Sequence, residues 1–359
     1  MNDEPRFVGG LGALDDRQEC RGGSLQRIQF THTYEDIISV ENLLAAWKEF
    51  KREKSKRPDV LEFERYLMRN ILSLHNDLAT GTYRHGGYHH FKLSDPKPRD
   101  IHKASVRDRL VHHALYRKLH PFFDHTFIAD SYSCRLGKGT HRAMNRFRTF
   151  ARQVSKNDTR TCWVLKCDIR KFFASIDHET LLRILRARIA DGRLLTLLAN
   201  IIGSFRSTWP KPGIGQIGLP LWNLTSQLLV NIYMNEFDQF VKHKLKAKHY
   251  VRYADDFVLL SHVRNQLNAL LPRITAFLKA ELKLELHPDK VSIETLASGV
   301  DFLGWVHFFD HRVLRTATKK KMFRRIEETE GRVKTVQSYL GLLSHGNTRK
   351  LREKIEQMC

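Results

Sequence analysis

Tyr250-Val251-Arg252-Tyr253-Ala254-Asp255-Asp256-Phe257-Val258-Leu259-Leu260 is a pair of apolar runs separated by two carboxylates. Runs this short, rich in β-branched and aromatic residues, read as strands. The acidic step between them reads as a tight turn, so the stretch is a hairpin with both arms buried. Adjacent carboxylates at a hairpin tip repel each other unless a cation sits between them. The competing reading is an ordinary acidic turn, since Asp is common in turns. Against it, Ala-Asp-Asp-Phe lacks the Gly of a usual two-residue hairpin. A second apolar run, Cys162-Trp163-Val164-Leu165-Lys166-Cys167-Asp168, also ends on a carboxylate, a position that by itself is frequently a helix N-cap. If Asp168, Asp255 and Asp256 converge, they form an all-oxygen cage suited to Mg²⁺. Two such ions can activate an attacking hydroxyl and stabilise a leaving pyrophosphate.

Around this centre the chain is mostly helical. Ile37, Ile38, Leu43, Leu44 and Trp47 form an apolar stripe with Lys48, Lys51, Arg52 and Lys54 outside it, which predicts a helix from Tyr34. A second helix is predicted from Pro58 to near Gly81. Residues 82–104 read as short basic strands and 105–122 as a helix. Helices are expected around 178–190 and 193–203, from near Asn223, and over 265–283. A strand pair is expected around 284–308, and a basic helical tail after Asp310. The Gly-rich N-terminal segment reads as a mobile leader.

Lys and Arg number 61 against 39 Asp and Glu, a formal charge of +22 before 19 His are counted. This excludes an ordinary neutral metabolic enzyme as the default and points to a polyanionic partner. The five Cys, at 20, 134, 162, 167 and 359, form no C-x-x-C pair, so incidental reduced thiols are expected. No signal-peptide core and no apolar run near the roughly 18 residues of a membrane span is present, so no membrane association is expected, and a cytoplasmic location is.

Tyr253-Ala254-Asp255-Asp256 resembles the Y-x-D-D signature of reverse transcriptases, and Asp168 through His178 resembles the same family's D-x-x-x-F-F-x-x-I-D-H motif. Further motifs follow in family order. Arg107 to Leu115 and Phe127 to Gly139 resemble fingers motifs of bacterial members, and Asp301-Phe302-Leu303-Gly304-Trp305 resembles the segment that grips the primer end. The resemblance implies an α+β right-hand polymerase whose palm is an antiparallel sheet backed by helices. It implies a leader over 1–31, fingers over 32–157, a palm over 158–310 with a fingers excursion near 180–216, and a short basic thumb over 311–359.

The resemblance also implies roles. Asp168, Asp255 and Asp256, with the Ile169 carbonyl, correspond to the ligands of two Mg²⁺ ions. Phe173 corresponds to an aromatic residue that blocks a ribose 2′-OH and so selects deoxynucleotides; taken alone it reads as a core phenylalanine. Arg99, with Lys97 beside it, corresponds to the arginine that contacts the incoming triphosphate, a role suited to a bidentate guanidinium. Lys290 corresponds to a lysine near the leaving pyrophosphate, placed to act as a general acid; an exposed strand-end lysine is the alternative. Phe302, Leu303 and Gly304 correspond to the primer grip.

Gly218-Leu219-Pro220-Leu221-Trp222-Asn223-Leu224-Thr225-Ser226-Gln227 separates subgroups. Leu221 stands where group II intron enzymes usually carry Gln, and Ser226-Gln227 stands in place of Ser-Pro. The segment looks like that of diversity-generating retroelements, which copy with errors at template adenines. Gln can hydrogen-bond near a nascent base pair and Leu cannot. Trp222 departs from the usual Gly and either stacks on a base or packs into the palm. Defence-associated bacterial and group II intron-like enzymes are the neighbouring alternatives, and an inactive nucleic-acid-binding protein is a more distant one. Between Arg312 and Lys354, 13 Lys or Arg face 4 Glu, as expected of a thumb lying along an RNA–DNA hybrid. Template RNA, that hybrid and deoxynucleoside triphosphates are the implied partners. Lys51 to Arg57 offer a further contact for a structured non-coding RNA or a small basic accessory protein.

Overall fold

Burial on both faces explains why the central strands are continuously apolar. In this computed structural model, which describes residues 29–93, 99–207, 216–221 and 223–357, β3 (Trp163–Asp168), β4 (Tyr250–Tyr253), β5 (Asp256–Ser261) and β6 (Ser292–Thr295) form an antiparallel sheet in the order β4-β5-β3-β6. Leu165, Cys167, Tyr250, Phe257 and Leu259 face one cluster with Tyr233, Phe237, Ile274 and Leu278. Their neighbours Val164, Val251, Val258 and Leu260 face a second cluster with Phe147, Phe150, Ala151 and Val154. The period-2 alternation of strands therefore sends successive apolar side chains into two different cores.

The helices before the sheet are α1 (Tyr34–Ile38), α2 (Val40–Lys51), α3 (Pro58–Arg65), α4 (Leu67–Ala79), α5 (Val106–Asp124) and α6 (Thr140–Ser155), with the hairpin β1 (Tyr88–Leu93) and β2 (Arg99–Ala104) between α4 and α5. Two helices expected to be continuous are broken. Ser39, at ψ 144°, closes α1 and opens α2, its hydroxyl accepting from the Asn42 N–H at 3.2 Å. A side-chain acceptor of this kind competes with the helical ladder. Tyr66, at φ −123° and ψ 38°, separates α3 from α4. Residues 140–155, which carry no expected element, form α6, with Ala143, Met144, Phe147, Phe150, Ala151 and Val154 buried at helical spacing.

After β3 come α7 (Phe172–Ser175), α8 (His178–Arg186), α9 (Gly192–Gly203) and α10 (Leu224–Gln239), and α11 (Arg264–Leu282) follows β5. The strand pair expected over 284–308 is corrected. β6 joins the central sheet beside β3, with Leu165 opposite Ile293. β7 (Val300–Phe302) and β8 (Trp305–His307) form a separate sheet with β9 (Arg312–Leu314). The tail after Asp310 is thus first a strand and only then helical, through α12 (Thr316–Glu328), α13 (Val333–Leu343) and α14 (Arg349–Glu356). Trp305, Leu314, Met322, Ile326, Leu343 and Ile355 form the core of this unit, together with Met144 from α6.

Among the described residues no helix is long and apolar enough to cross a membrane. Residues 1–28, which are most of the expected leader, lie outside the described residues, as do Lys97 and Trp222; Phe30, near the leader's end, is buried.

Candidate active site

The three carboxylates meet where the central strands end. Asp168 closes β3 and stands directly opposite Asp256, the first residue of β5. Asp255 precedes it in the β4–β5 turn, which spans only Ala254 and Asp255 because Tyr253 pairs with Asp256. No Gly is present; Ala254 instead adopts φ +54°, which costs a residue with a Cβ roughly 1–2 kcal/mol. The Ile169 N–H donates to the Asp255 carbonyl at 3.1 Å and ties the turn to the end of β3.

Asp256 is strongly perturbed. Its Oδ1 is shielded from water and has no hydrogen-bond partner. Burial above all pushes its carboxyl up to about 7; Asp255, Asp168 and Asp301 add to this and Lys166 opposes it. Asp168 differs. The Lys290 Nζ donates to its Oδ1 at 2.8 Å, and its carbonyl accepts from the His287 N–H at 2.7 Å. Among the described residues no group of three or more His, Cys, Asp or Glu is assembled as a metal cage. An ammonium rests on one of the acids, Asp168. The donor set nevertheless fits a hard divalent cation: it is all oxygen, and the orphaned Asp256 Oδ1 is a buried acceptor without a proton donor.

The other expected site residues lie on several different elements. Phe173 lies in α7, partly buried against the main core and 5.5 Å edge-on from Phe172. Its carbonyl accepts from the Leu219 N–H at 2.8 Å, and Ile176 does the same for Gly218 at 2.8 Å. α7 and the segment leading to Leu221 are therefore one unit. Gly218 is required there, at φ +100° with a Cβ position only 2.7 Å from the Ser207 Cβ. Leu221 is half-buried just before α10, and Gln227 sits in the first turn of that helix, its N–H donating to the Asn223 carbonyl at 3.3 Å. Arg99 opens β2 opposite Leu93.

Phe302 is fully buried in the cluster beneath the sheet. Leu303 and Gly304 form the two-residue turn between β7 and β8, at φ +54° and +85°. A Cβ at Gly304 would meet nothing within 4 Å, so glycine serves backbone geometry there rather than space. The Gly304 carbonyl accepts from the Arg315 N–H at 3.1 Å.

Sequence reasoning passed over Arg252 and Asp238, both fully buried and ion-paired at 2.7 Å. A lone cation inside an otherwise apolar strand was the available signal, because a buried charge demands a partner.

The chain is similar to several known proteins. Protein YkfC of Escherichia coli (strain K12) is 29% identical over 266 residues, covering 63% of this chain and 66% of that protein. The group II intron-encoded protein LtrA of Lactococcus lactis subsp. cremoris is 22% identical over 293 residues, covering 64% of this chain and 47% of that one. The chain thus matches only part of the length of these relatives. Among solved structures, telomerase from Candida albicans in complex with the TWJ fragment of telomeric RNA superposes with a TM-score of 0.48 at 11% identity, covering 66% of this chain and 46% of that one. Residues 93–307, more than half of the chain, match the family described as Reverse transcriptase (RNA-dependent DNA polymerase), and the chain belongs to the reverse transcriptase family.

Proposed function

We propose that this chain is an RNA-directed DNA polymerase that extends a primer 3′-OH along an RNA template by nucleotidyl transfer. The observation that carries this reading is the pairing of Asp168 with Asp256 across β3 and β5, with Asp255 in the adjoining turn. Asp168, Asp255, Asp256 and the Ile169 carbonyl would hold two Mg²⁺ ions. Bound there, the ions lower the pKa of the attacking hydroxyl and offset charge on the leaving pyrophosphate.

The remaining residues bind, orient and exclude. Arg99, with Lys97, grips the triphosphate of the incoming nucleotide. Phe173 closes the space a 2′-OH would need. Lys290 carries a proton at Nζ that it can pass to the pyrophosphate oxygen. Leu221 and Gln227 flank the nascent base pair, and the Phe302–Gly304 turn holds the primer end. The basic helices α12 to α14 follow the backbone of the RNA–DNA hybrid by shape and charge.

The test is extension of a DNA primer on an RNA template with deoxynucleotides and Mg²⁺. Wild type should form product, and Asp255→Asn should lose synthesis while retaining RNA in a filter-binding assay. An inactive wild type, or an active variant, overturns the proposal.

Leu221 and the run Asn223–Gln227 favour a diversity-generating retroelement enzyme over defence-associated and group II intron-like relatives. A structured non-coding RNA and a small basic accessory protein are then the further partners. Sequencing the DNA product decides: errors concentrated at template adenines support this subgroup, and uniform errors oppose it.

A further inference from the structure

Arg252 lies in the middle of β4, three residues before Asp255, and is 0% exposed. A guanidinium out of reach of water needs protein acceptors for all five of its N–H groups, and all five are engaged. Nε and Nη2 donate to the two carboxylate oxygens of Asp238 at 2.8 and 2.7 Å, a bidentate fork. Nη2 also donates to the Ser131 Oγ at 3.0 Å, and Nη1 to the Asn231 Oδ1 at 3.4 Å. The fifth bond runs from Nη1 to the carbonyl of Ala254 at 3.1 Å.

That last bond reaches the acidic turn. Ala254 is the residue held at φ +54°, and it immediately precedes Asp255. The Arg252 main chain is fixed as well, its N–H donating to the Asp130 carbonyl at 3.0 Å and its carbonyl accepting from the Tyr132 N–H at 3.0 Å. Asp238 and Asn231 both belong to α10, whose first turn carries Gln227. One side chain thus joins the middle and the end of α10 to the acidic turn.

The burial of an ion pair is by itself weak evidence of a stabilising role. A buried ion pair is often replaced by apolar residues of similar volume at no loss of stability. An apolar side chain could not, however, donate to the Ala254 carbonyl.

We propose that Arg252 is a positioning residue for the polymerase reaction, anchored on α10 through Asp238 and setting the placement of Asp255 and Asp256 through the Ala254 carbonyl. The proposal rests on the polymerase reading above. Its role is to keep the acids in fixed register with the residues that flank the nascent base pair, so that substrate bound against α10 meets the carboxylates at reacting distance.

The experiment compares wild type, Arg252→Lys, and the double variant Arg252→Met with Asp238→Leu. The double variant avoids leaving Asp238 buried and unpaired, which would confound folding with catalysis. Thermal melting and circular dichroism establish which variants fold, and single-nucleotide primer extension gives kcat and the KM for the deoxynucleotide. The expected result is a folded double variant with kcat lowered on the order of 10- to 100-fold, as for a small displacement of reacting groups, and with KM within about threefold of wild type. Arg252→Lys, which keeps the charge but loses the fork, should show the same split, so the test stands even if the double variant fails to fold. Wild-type kcat in either folded variant, or a rise in KM without a fall in kcat, overturns the proposal. An inactive wild type in the same assay would overturn the polymerase reading instead.

Discussion

Replacing Asp256 by Asn should make the metal-free protein more stable while destroying its function. The carboxyl would ordinarily ionise near 3.8 but ionises at about 7 in the fold, burial being the first cause. The folded chain therefore holds a proton that the unfolded chain releases between about pH 4 and pH 7. Over that interval the unfolded state binds fewer protons, so stability falls as pH rises. It is full below about pH 4 and is lost as pH passes through about 7. At 1.36 kcal/mol per tenfold in the proton equilibrium, the whole effect is about 4 kcal/mol. An Asn amide also needs partners at this spot, which lowers the expected net gain to about 2–4 kcal/mol. For a chain of this size that is on the order of 3–5 °C in melting temperature. The assay is thermal melting with EDTA at pH 5 and pH 8. The variant should melt well above wild type at pH 8 and close to it at pH 5. Added Mg²⁺ or Mn²⁺ should narrow the gap by stabilising wild type alone. A variant that melts lower at pH 8, or a gap equal at both pH values, would refute the reasoning.

Lys290→Met removes the ammonium hydrogen-bonded to Asp168. Because the lysine is 42% exposed, the pair contributes about 1 kcal/mol, so Mn²⁺ measured by electron paramagnetic resonance should bind about fivefold tighter while turnover falls about 10²-fold through loss of the acid. Weaker Mn²⁺ binding would contradict the competition. Phe173→Val should raise ribonucleotide use relative to deoxynucleotide use at least about tenfold, read in a competition assay; an unchanged ratio would leave Phe173 a core residue. Gly346→Ala should loosen the C-terminal helices, since a Cβ there would lie 2.0 Å from the Trp305 Cζ3 and 2.9 Å from the Arg312 carbonyl. A loss of about 1–3 kcal/mol should appear as faster amide exchange in α12 to α14, and unchanged exchange would count against that packing.

Much of the centre was legible because it is local. Cys162–Asp168 and Tyr250–Leu260 are apolar runs closed by acids, and both became strands ending at the acidic site. What the sequence hid was long-range or single-residue chemistry. Nothing near Ser292–Thr295 signals that its partner is β3 more than a hundred residues earlier rather than β7 a few residues later. The breaks at Ser39 and Tyr66 fall inside apolar stripes that continue past them, so periodicity carries straight through. α6 had a readable helical period, but its four Arg among apolar residues resemble a basic loop until Phe147 and Phe150 are seen buried. The site acids were recognisable by type. Their unequal environments, Asp168 under an ammonium and Asp256 in a dry recess, depend on Lys290, far along the chain, and on burial, which the local sequence does not show.

Leu303 packs against both the cluster beneath the central sheet and the cluster that holds the C-terminal helices. One side chain is thus seated in two bodies, at the tip of a turn whose backbone is fixed by positive φ at both positions. Tilting the helical unit as a whole loads that turn, much as a gear tooth takes up the motion of either wheel. If the helices follow a duplex and the turn holds a primer end, as proposed above, the two move in step. Slippage of one without the other requires Leu303 to leave one of its two seats.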